Sequence, residues 1–117
     1  MNNSIRRILA RQALAIAVVA GYASVAAADG DVANGKMLSR DCAMCHGIDG
    51  NARSTSVQVV PMLAGQPASY LVQEMENYVA GIREDTSRNG MMTRKLMNLS
   101  ESDFADLAAF YEAQERF

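Results

Sequence analysis

The residues best suited to chemistry are the two cysteines and the single histidine of the chain, which stand together as Cys42-Ala43-Met44-Cys45-His46. Random shuffling of this composition would produce the C-x-x-C-H spacing in about one sequence in 7,000, so chance is a poor explanation. Two thiols at this spacing can each add to one vinyl group of a haem, which brings the adjacent imidazole under the iron. The spacing therefore predicts one covalently attached c-type haem, anchored by Cys42 and Cys45.

Two other uses of the same side chains are less consistent with the sequence. A thioredoxin-like dithiol needs strands that alternate with helices, and no such alternation surrounds this C-x-x-C pair. A structural zinc site needs four ligands, and the sequence has no further Cys or His to complete one. Haem attachment is therefore the favoured interpretation.

Residues 1–28 have the pattern of an export signal that is cleaved after Ala28. Three arginines precede an apolar stretch at positions 13–20, and small residues follow it. A retained membrane anchor is the alternative, but this stretch is shorter than the ~20 apolar residues that a membrane span needs. The pattern predicts a bacterial periplasmic protein whose mature part, residues 29–117, is a single domain without stable membrane insertion.

The charge of the mature part limits its partners. Three of the 11 basic residues lie in the signal, so 8 basic and 13 acidic residues remain and give a net charge of −5. A surface of this sign is poorly suited to nucleic acid or anionic lipid. The expected partners are redox proteins.

The core is expected to be incomplete without a cofactor. A chain of this length buries only a little more than ~60% of its unfolded surface. The sequence has no Trp, three Phe and four Tyr, so few large side chains are available for the interior. A haem would fill the middle of the domain.

Helices are predicted at both ends of the mature part. The first covers about residues 31–42 and has Asp31 as its N-cap. Its candidate buried residues are Val32, Met37 and Leu38. The last begins at Ser100 as N-cap, with Asp103 at the third position of a capping box. It is expected to bury Phe104, Leu107, Ala108 and Tyr111.

A middle helix opens at Pro67 and ends near Gly81. Apolar residues recur along it at helical spacing, at Leu71, Met75, Tyr78 and Ile82. The segments 47–66 and 82–100 show no periodic pattern, although positions 57–60 could form a short strand. We therefore predict an all-α domain of about three main helices and long loops, and loops of this length are usually functional.

The order of short motifs resembles a small bacterial class I cytochrome c from end to end. It is similar to single halves of the di-haem periplasmic cytochromes and to the haem subunit of flavocytochrome c sulfide dehydrogenases. The motifs that carry the resemblance are Gly35-Lys36, Cys42-Ala43-Met44-Cys45-His46-Gly47, Asp49-Gly50-Asn51, Pro61-Met62-Leu63-Ala64-Gly65-Gln66, Tyr70-Leu71, positions 78–81, Leu99-Ser100 and Leu107-Ala108-Ala109-Phe110-Tyr111. The resemblance implies the class I cytochrome c fold, wrapped around one haem c.

The resemblance also implies the iron ligands. His46 would be the proximal ligand, and its second ring nitrogen would donate to the carbonyl of Pro61. A methionine is implied on the other side, because a thioether opposite histidine stabilises ferrous iron. In similar families it stands seven residues before the Leu of the Leu-Ser pair, which gives Met92, with Met91 as the alternative.

Two further features follow from the same comparison with the family. Asn89-Gly90 stands where many relatives have a proline before the methionine pair, so the loop is expected to be looser here. Gly35 and either Phe110 or Tyr111 match the place where the terminal helices of this fold cross.

Three functions are compatible with these residues. The first is a periplasmic single-electron carrier with a His/Met-ligated haem. The second is the electron-accepting haem subunit of a flavoprotein that oxidises sulfide. The third is ligand binding or peroxidase-like chemistry at an open iron position, for which the loop around Met92 offers no evident acid or base.

Overall fold

The computed structural model describes residues 30–117, so the expected export signal and its cleavage site lie outside the described residues. Within this part of the chain all regular secondary structure is helical. The α-helices are α1 (Val32–Leu38), α2 (Ala43–His46), α3 (Ala68–Val79), α4 (Met91–Leu96) and α5 (Glu101–Glu112). Short 3₁₀ turns follow α1 at Ser39–Asp41 and precede α4 at Arg88–Gly90. The predicted all-α class is confirmed.

The C-terminal helix α5 forms the centre of the fold. Ser100 accepts a hydrogen bond from the backbone of Asp103, and the Asp103 carboxylate accepts from the backbone N–H of Ser100, which completes the predicted capping box. The helix buries Phe104, Leu107, Ala108, Phe110 and Tyr111. The sequence predicts four of these five buried residues, and Phe110 is the additional one.

The N-terminal helix is shorter than predicted and uses a different face. Asp31 caps it by accepting hydrogen bonds from the backbone N–H groups of residues 33 and 34. Val32 and Met37, which were expected to be buried, are exposed, whereas Leu38 packs against the core. The buried residue of α1 is Gly35, because the helix lies so close to α5 that only a residue without a side chain can face it.

The crossing of α1 and α5 is held by backbone proximity and by one carboxylate. A Cβ atom on Gly35 would lie 2.0 Å from the carbonyl oxygen of Asp106 and 2.9 Å from Cβ of Phe110. The Asp106 side chain accepts hydrogen bonds from the backbone N–H of Asp31 at 2.6 Å and from the Asn34 amide at 2.7 Å. Gly35 therefore packs against the backbone of α5 as well as against the side chain of Phe110.

Replacing Gly35 with alanine is expected to destabilise the protein, because the added methyl group must push α1 away from α5. The cost should be about 2 kcal/mol, in the range of overpacked cores, and it should outweigh the better helix propensity of alanine. Denaturant unfolding of the haem-loaded protein measures it. Lys36→Ala, at an exposed position of the same helix, is the control. Equal stability of the two variants would contradict the close crossing.

Helix α3 begins where Pro67 predicts and packs across α5. The backbone N–H of Ala68, in its first turn, donates to the Glu112 carboxylate at 2.9 Å. Leu71 is buried in the cluster formed with α5. The helix ends at Val79, and Gly81 takes a left-handed conformation with φ of 70°. Ile82 therefore lies beyond the helix and is exposed, contrary to the prediction from spacing.

One part of the segments that lacked periodicity differs from expectation. Residues 91–96 form α4, which packs against α3 and buries Leu96. Its six residues are too few to show a helical period in the sequence.

Positions 57–60 do not form a strand, because a single short apolar run has no partner strand in the described domain, and Val57 and Val59 are exposed. The possible strand at these positions is therefore absent, in agreement with the prediction of an all-α domain.

None of the helices between residues 30 and 117 is both long enough and apolar enough to cross a membrane.

Candidate functional site

The C-x-x-C-H motif lies at the one-turn helix α2, which follows the 3₁₀ turn after α1. Cys42 is the N-cap of α2, and Cys45 and His46 lie within it. Both cysteines are free thiols and half-buried. Burial raises the pKa of the Cys42 thiol, because a thiolate is poorly solvated there. No disulfide joins the two sulfur atoms, and the residues lie one helical turn apart.

The histidine is oriented by the loop that follows the motif. His46 is only 5% exposed, and its Nδ1 lies 3.0 Å from the carbonyl oxygen of Pro61. Burial lowers the pKa of His46, and the Pro61 carbonyl partly opposes this shift. The ring is therefore neutral at pH 7, and donation from Nδ1 leaves Nε2 with a free lone pair.

The Pro61 carbonyl is itself held in place. Ser54 donates its hydroxyl hydrogen to the Val60 carbonyl at 3.0 Å and accepts from the Val60 N–H at 2.9 Å. Val60 is buried, whereas most of the residues before it are exposed. This double hydrogen bond fixes the backbone immediately before Pro61, so the carbonyl is a preset acceptor for the imidazole.

One cavity brings the predicted site residues together. Its lining includes Cys42, Cys45, His46, Pro61, Met91 and Met92. The remaining walls are mostly apolar and come from the end of α1, the loop after Pro61, α3, α4, the α4–α5 connection and α5. Their apolar residues are Leu38, Met62, Leu63, Leu71, Met75, Leu96, Leu99, Leu107 and Tyr111. Met97 does not line the cavity and is 65% exposed. Of the three methionines near α4, only the pair at its N-terminus reaches the site.

Charged groups also reach this cavity, so the expectation that no acid or base stands near the methionine loop is wrong. Glu74, Arg83 and Lys95 are among its lining residues. Arg83 forms an ion pair with Glu74 and lies over the ring of Tyr78, 4.6 Å from its centroid. Sequence spacing could not show this group, because Arg83 reaches Glu74 only after the chain turns back at Gly81. The ion pair engages the Glu74 carboxylate and leaves it poorly suited to act as a free base.

The site has the properties that a covalently bound haem requires. The cavity is mostly apolar, and it contains Cys42 and Cys45 one helical turn apart. Within residues 30–117, Nε2 of its single imidazole has no hydrogen-bond partner. The Tyr111 hydroxyl is buried against Cys42 and has no hydrogen-bond partner among the described residues. Burial raises the pKa of this hydroxyl. An orphaned buried hydroxyl is costly, and in this wall it indicates that a further group completes the interior.

The methionine pair stands on a segment built from polar contacts. Asn89 and Gly90 both take left-handed conformations, with φ of 55° and 64°. Asp85 accepts hydrogen bonds from Ser87 and Thr93, and Ser87 in turn accepts from the backbone of Met92. Sequence reasoning missed Asp85. The only signal was an Asp two residues before a Ser, which is typical of a local turn.

Comparison of the sequence with models of protein families shows which family the chain belongs to. Residues 32–113 match the model described as cytochrome c, which covers most of the chain. The chain belongs to the cytochrome c family. The predicted class I cytochrome c fold and the resemblance to this family are thereby confirmed.

Individual relatives agree with this assignment. The chain is 37% identical to cytochrome c4 of Pseudomonas aeruginosa over 81% of its own length and 44% of the relative's. It is 38% identical to cytochrome c4 of Azotobacter vinelandii over 81% of its length and 46% of the relative's. The chain thus spans about half the length of these relatives. Cytochrome c-554(548) of Halomonas halodenitrificans is 37% identical over 74% of the chain and 99% of its own length.

Membership in this family establishes the cofactor. The protein carries one covalently bound haem c, and Cys42, Cys45 and His46 form its C-x-x-C-H attachment motif.

Proposed function

We propose that the protein is a periplasmic single-electron carrier whose haem iron is bound by His46 and Met92. The observation that carries this proposal is the shared cavity, in which the imidazole, both thiols and the methionine pair meet among apolar side chains. A closed, apolar site with a thioether ligand favours ferrous iron and raises the reduction potential, as an electron carrier needs. Donors and acceptors would be redox proteins that contact the cavity rim.

Met92 is favoured over Met91 by burial. Met91 is 38% exposed, whereas Met92 is half-buried, and both line the cavity. Met92 is also the residue whose backbone N–H is fixed by Ser87, at 3.0 Å. A ligand held at its backbone and sheltered from water is better placed to form a durable bond to iron.

The bound haem supplies a one-electron couple, and the protein determines its surroundings. Cys42 and Cys45 would attach it, while Pro61 holds the His46 ring in one tautomer and orientation. Apolar side chains from α3 and α5 line the cavity and would exclude water from the bound group. Because no group has to move or exchange a proton, the site is suited to electron transfer with little reorganisation.

Export is part of the proposal. The arginine-rich start and the apolar stretch before Ala28 support transport of the full chain and cleavage there. Expression of residues 1–117 in a bacterium with a cytochrome c maturation system should yield a periplasmic protein. Its intact mass should equal that of residues 29–117 plus one haem. Retention of the first 28 residues in the membrane fraction would contradict this part of the proposal.

Sedimentation and co-purification distinguish a free carrier from an enzyme subunit, because one haem titrates as a one-electron couple in either case. The carrier should titrate as a single one-electron couple and sediment as a monomer. The named cytochromes among its relatives favour this outcome over a flavoprotein subunit. Stable co-purification with a flavoprotein from the native host, together with loss of fast reduction when the two are separated, would overturn it.

A further inference from the structure

The segment that carries the methionine pair lacks apolar anchoring. From Gly81 to Lys95 no side chain is fully buried, and Leu96 is the first that is. Elsewhere the backbone around the cavity is fixed by packing, as for Leu71 and Leu107. A ligand on this segment therefore depends on hydrogen bonds for its position.

Helix α4 also lacks a cap from its own N-terminal residue. Its N-cap is Gly90, which has no side chain to accept from the first backbone N–H groups. The two left-handed residues at 89 and 90 give the chain a sharp turn but little rigidity. The first turn of α4 must find its acceptors elsewhere.

Asp85 supplies those acceptors from six residues upstream of Met91. One carboxylate oxygen accepts from the backbone N–H of Thr93 at 2.8 Å and from its hydroxyl at 2.8 Å. The other oxygen accepts from the backbone N–H of Ser87 at 3.0 Å and from its hydroxyl. Ser87 Oγ in turn accepts from the Met92 N–H at 3.0 Å. We call these three side chains the Asp85 clasp.

We propose that Asp85 is a positioning residue for the sixth iron ligand, and that the Asp85 clasp takes the place of apolar packing in holding Met92 toward the haem. This inference rests on the proposed Met92 ligation. The clasp acts on the residues that flank Met92 on both sides, since Ser87 and Thr93 are joined through one carboxylate. Loss of the carboxylate would free both ends of the loop together.

The Asp85 carboxylate is suited to this task. Partial desolvation would raise its pKa, but the four hydrogen bonds from Ser87 and Thr93 outweigh this and hold the pKa well below the ordinary value. It therefore remains an acceptor at both oxygens under neutral conditions. An asparagine side chain in its place would have only one acceptor oxygen. Its NH₂ group would face the N–H and O–H donors of either Ser87 or Thr93.

The test compares Asp85→Asn with Glu84→Gln in haem-loaded protein. Glu84 is the exposed neighbouring carboxylate, so its replacement removes the same charge without touching the clasp. The measurements at pH 7 are the methionine-to-iron charge-transfer band of the ferric protein and the rate of CO binding to the ferrous protein. Asp85→Asn should weaken the band and accelerate CO binding about tenfold or more, as expected for loss of charge-assisted hydrogen bonds. Glu84→Gln should match the wild type.

A second pair of variants covers failure of Asp85→Asn to fold. Ser87→Ala removes the acceptor of the Met92 N–H, and Thr93→Val keeps the shape of the side chain but loses its hydroxyl. Both should accelerate CO binding in the same direction, while helical circular dichroism and haem content stay at wild-type values. A purely structural role would instead lower stability without opening the iron.

The outcomes separate the two proposals. A wild-type protein without the charge-transfer band would overturn the Met92 ligation, and the role of the clasp with it. A wild-type band that persists unchanged in Asp85→Asn, Ser87→Ala and Thr93→Val, with CO binding as slow as in Glu84→Gln, would overturn the role of the clasp alone.

Discussion

Replacing Met92 with alanine is expected to open the iron. The thioether would be lost from the cavity, so the ferrous protein should bind CO and the ferric protein should lose its methionine-to-iron charge-transfer band. The reduction potential should fall by about 0.1 V or more, because axial ligands set haem potentials over a range of ~0.8 V. Visible spectroscopy and a redox titration of the purified variant measure these changes.

Met91→Ala is the matched control, because Met91 precedes Met92 on the same turn and lines the same cavity. It should keep the charge-transfer band and a potential close to that of the wild type. The opposite pattern, with an open iron in Met91→Ala and a closed one in Met92→Ala, would shift the ligand by one residue.

Cys45→Ser and His46→Ala are expected to abolish a stable haem-loaded protein. Among residues 30–117 only nine apolar residues are buried, most of them on α5, and no large side chain in this range is fully enclosed. The half-buried side chains around the cavity therefore need the haem as their packing partner. Haem content, helical circular dichroism and yield from periplasmic expression should all collapse together.

Met44→Ala provides the control for this experiment. Met44 lies inside the same motif but is 95% exposed, so its replacement should leave haem content and stability unchanged. Recovery of a fully folded, haem-free domain from Cys45→Ser or His46→Ala would contradict the view that the haem completes the core.

The parts of the structure that sequence predicts well are those governed by local rules. The capping box of α5 needs only Ser100 and Asp103, and its buried face follows from helical spacing. The attachment motif is likewise local, since its chemistry depends on positions 42, 45 and 46 alone. Both α5 and the haem type were therefore accessible from the sequence.

The parts that sequence could not predict depend on contacts between distant residues. The resemblance places Gly35 at the crossing of the terminal helices, but no pattern near Gly35 indicates that the backbone of Asp106 lies against it. The apolar residues Val32 and Met37 indicate a buried face of α1, but both are exposed. The helix contacts α5 through its backbone at Gly35 and not through these two side chains.

The structure of the segment that carries Met91 and Met92 also could not be predicted from local patterns. Helix α4 is too short for a periodic signal, and its N-terminal acceptors come from Asp85, which lies outside the helix. The Arg83 and Glu74 pair likewise forms only after α3 ends. Polar contacts of this kind have no fixed spacing, so they emerge only with the tertiary structure.

The central claim is a closed electron-transfer site with one haem held by Cys42, Cys45, His46 and Met92. Visible spectra of the periplasmically expressed protein, oxidised, reduced and reduced under CO, test it most directly. The account predicts sharp low-spin bands on reduction, a methionine-to-iron charge-transfer band on oxidation and no rapid response to CO. A high-spin spectrum, a rapid spectral change under CO or a protein without haem would contradict it.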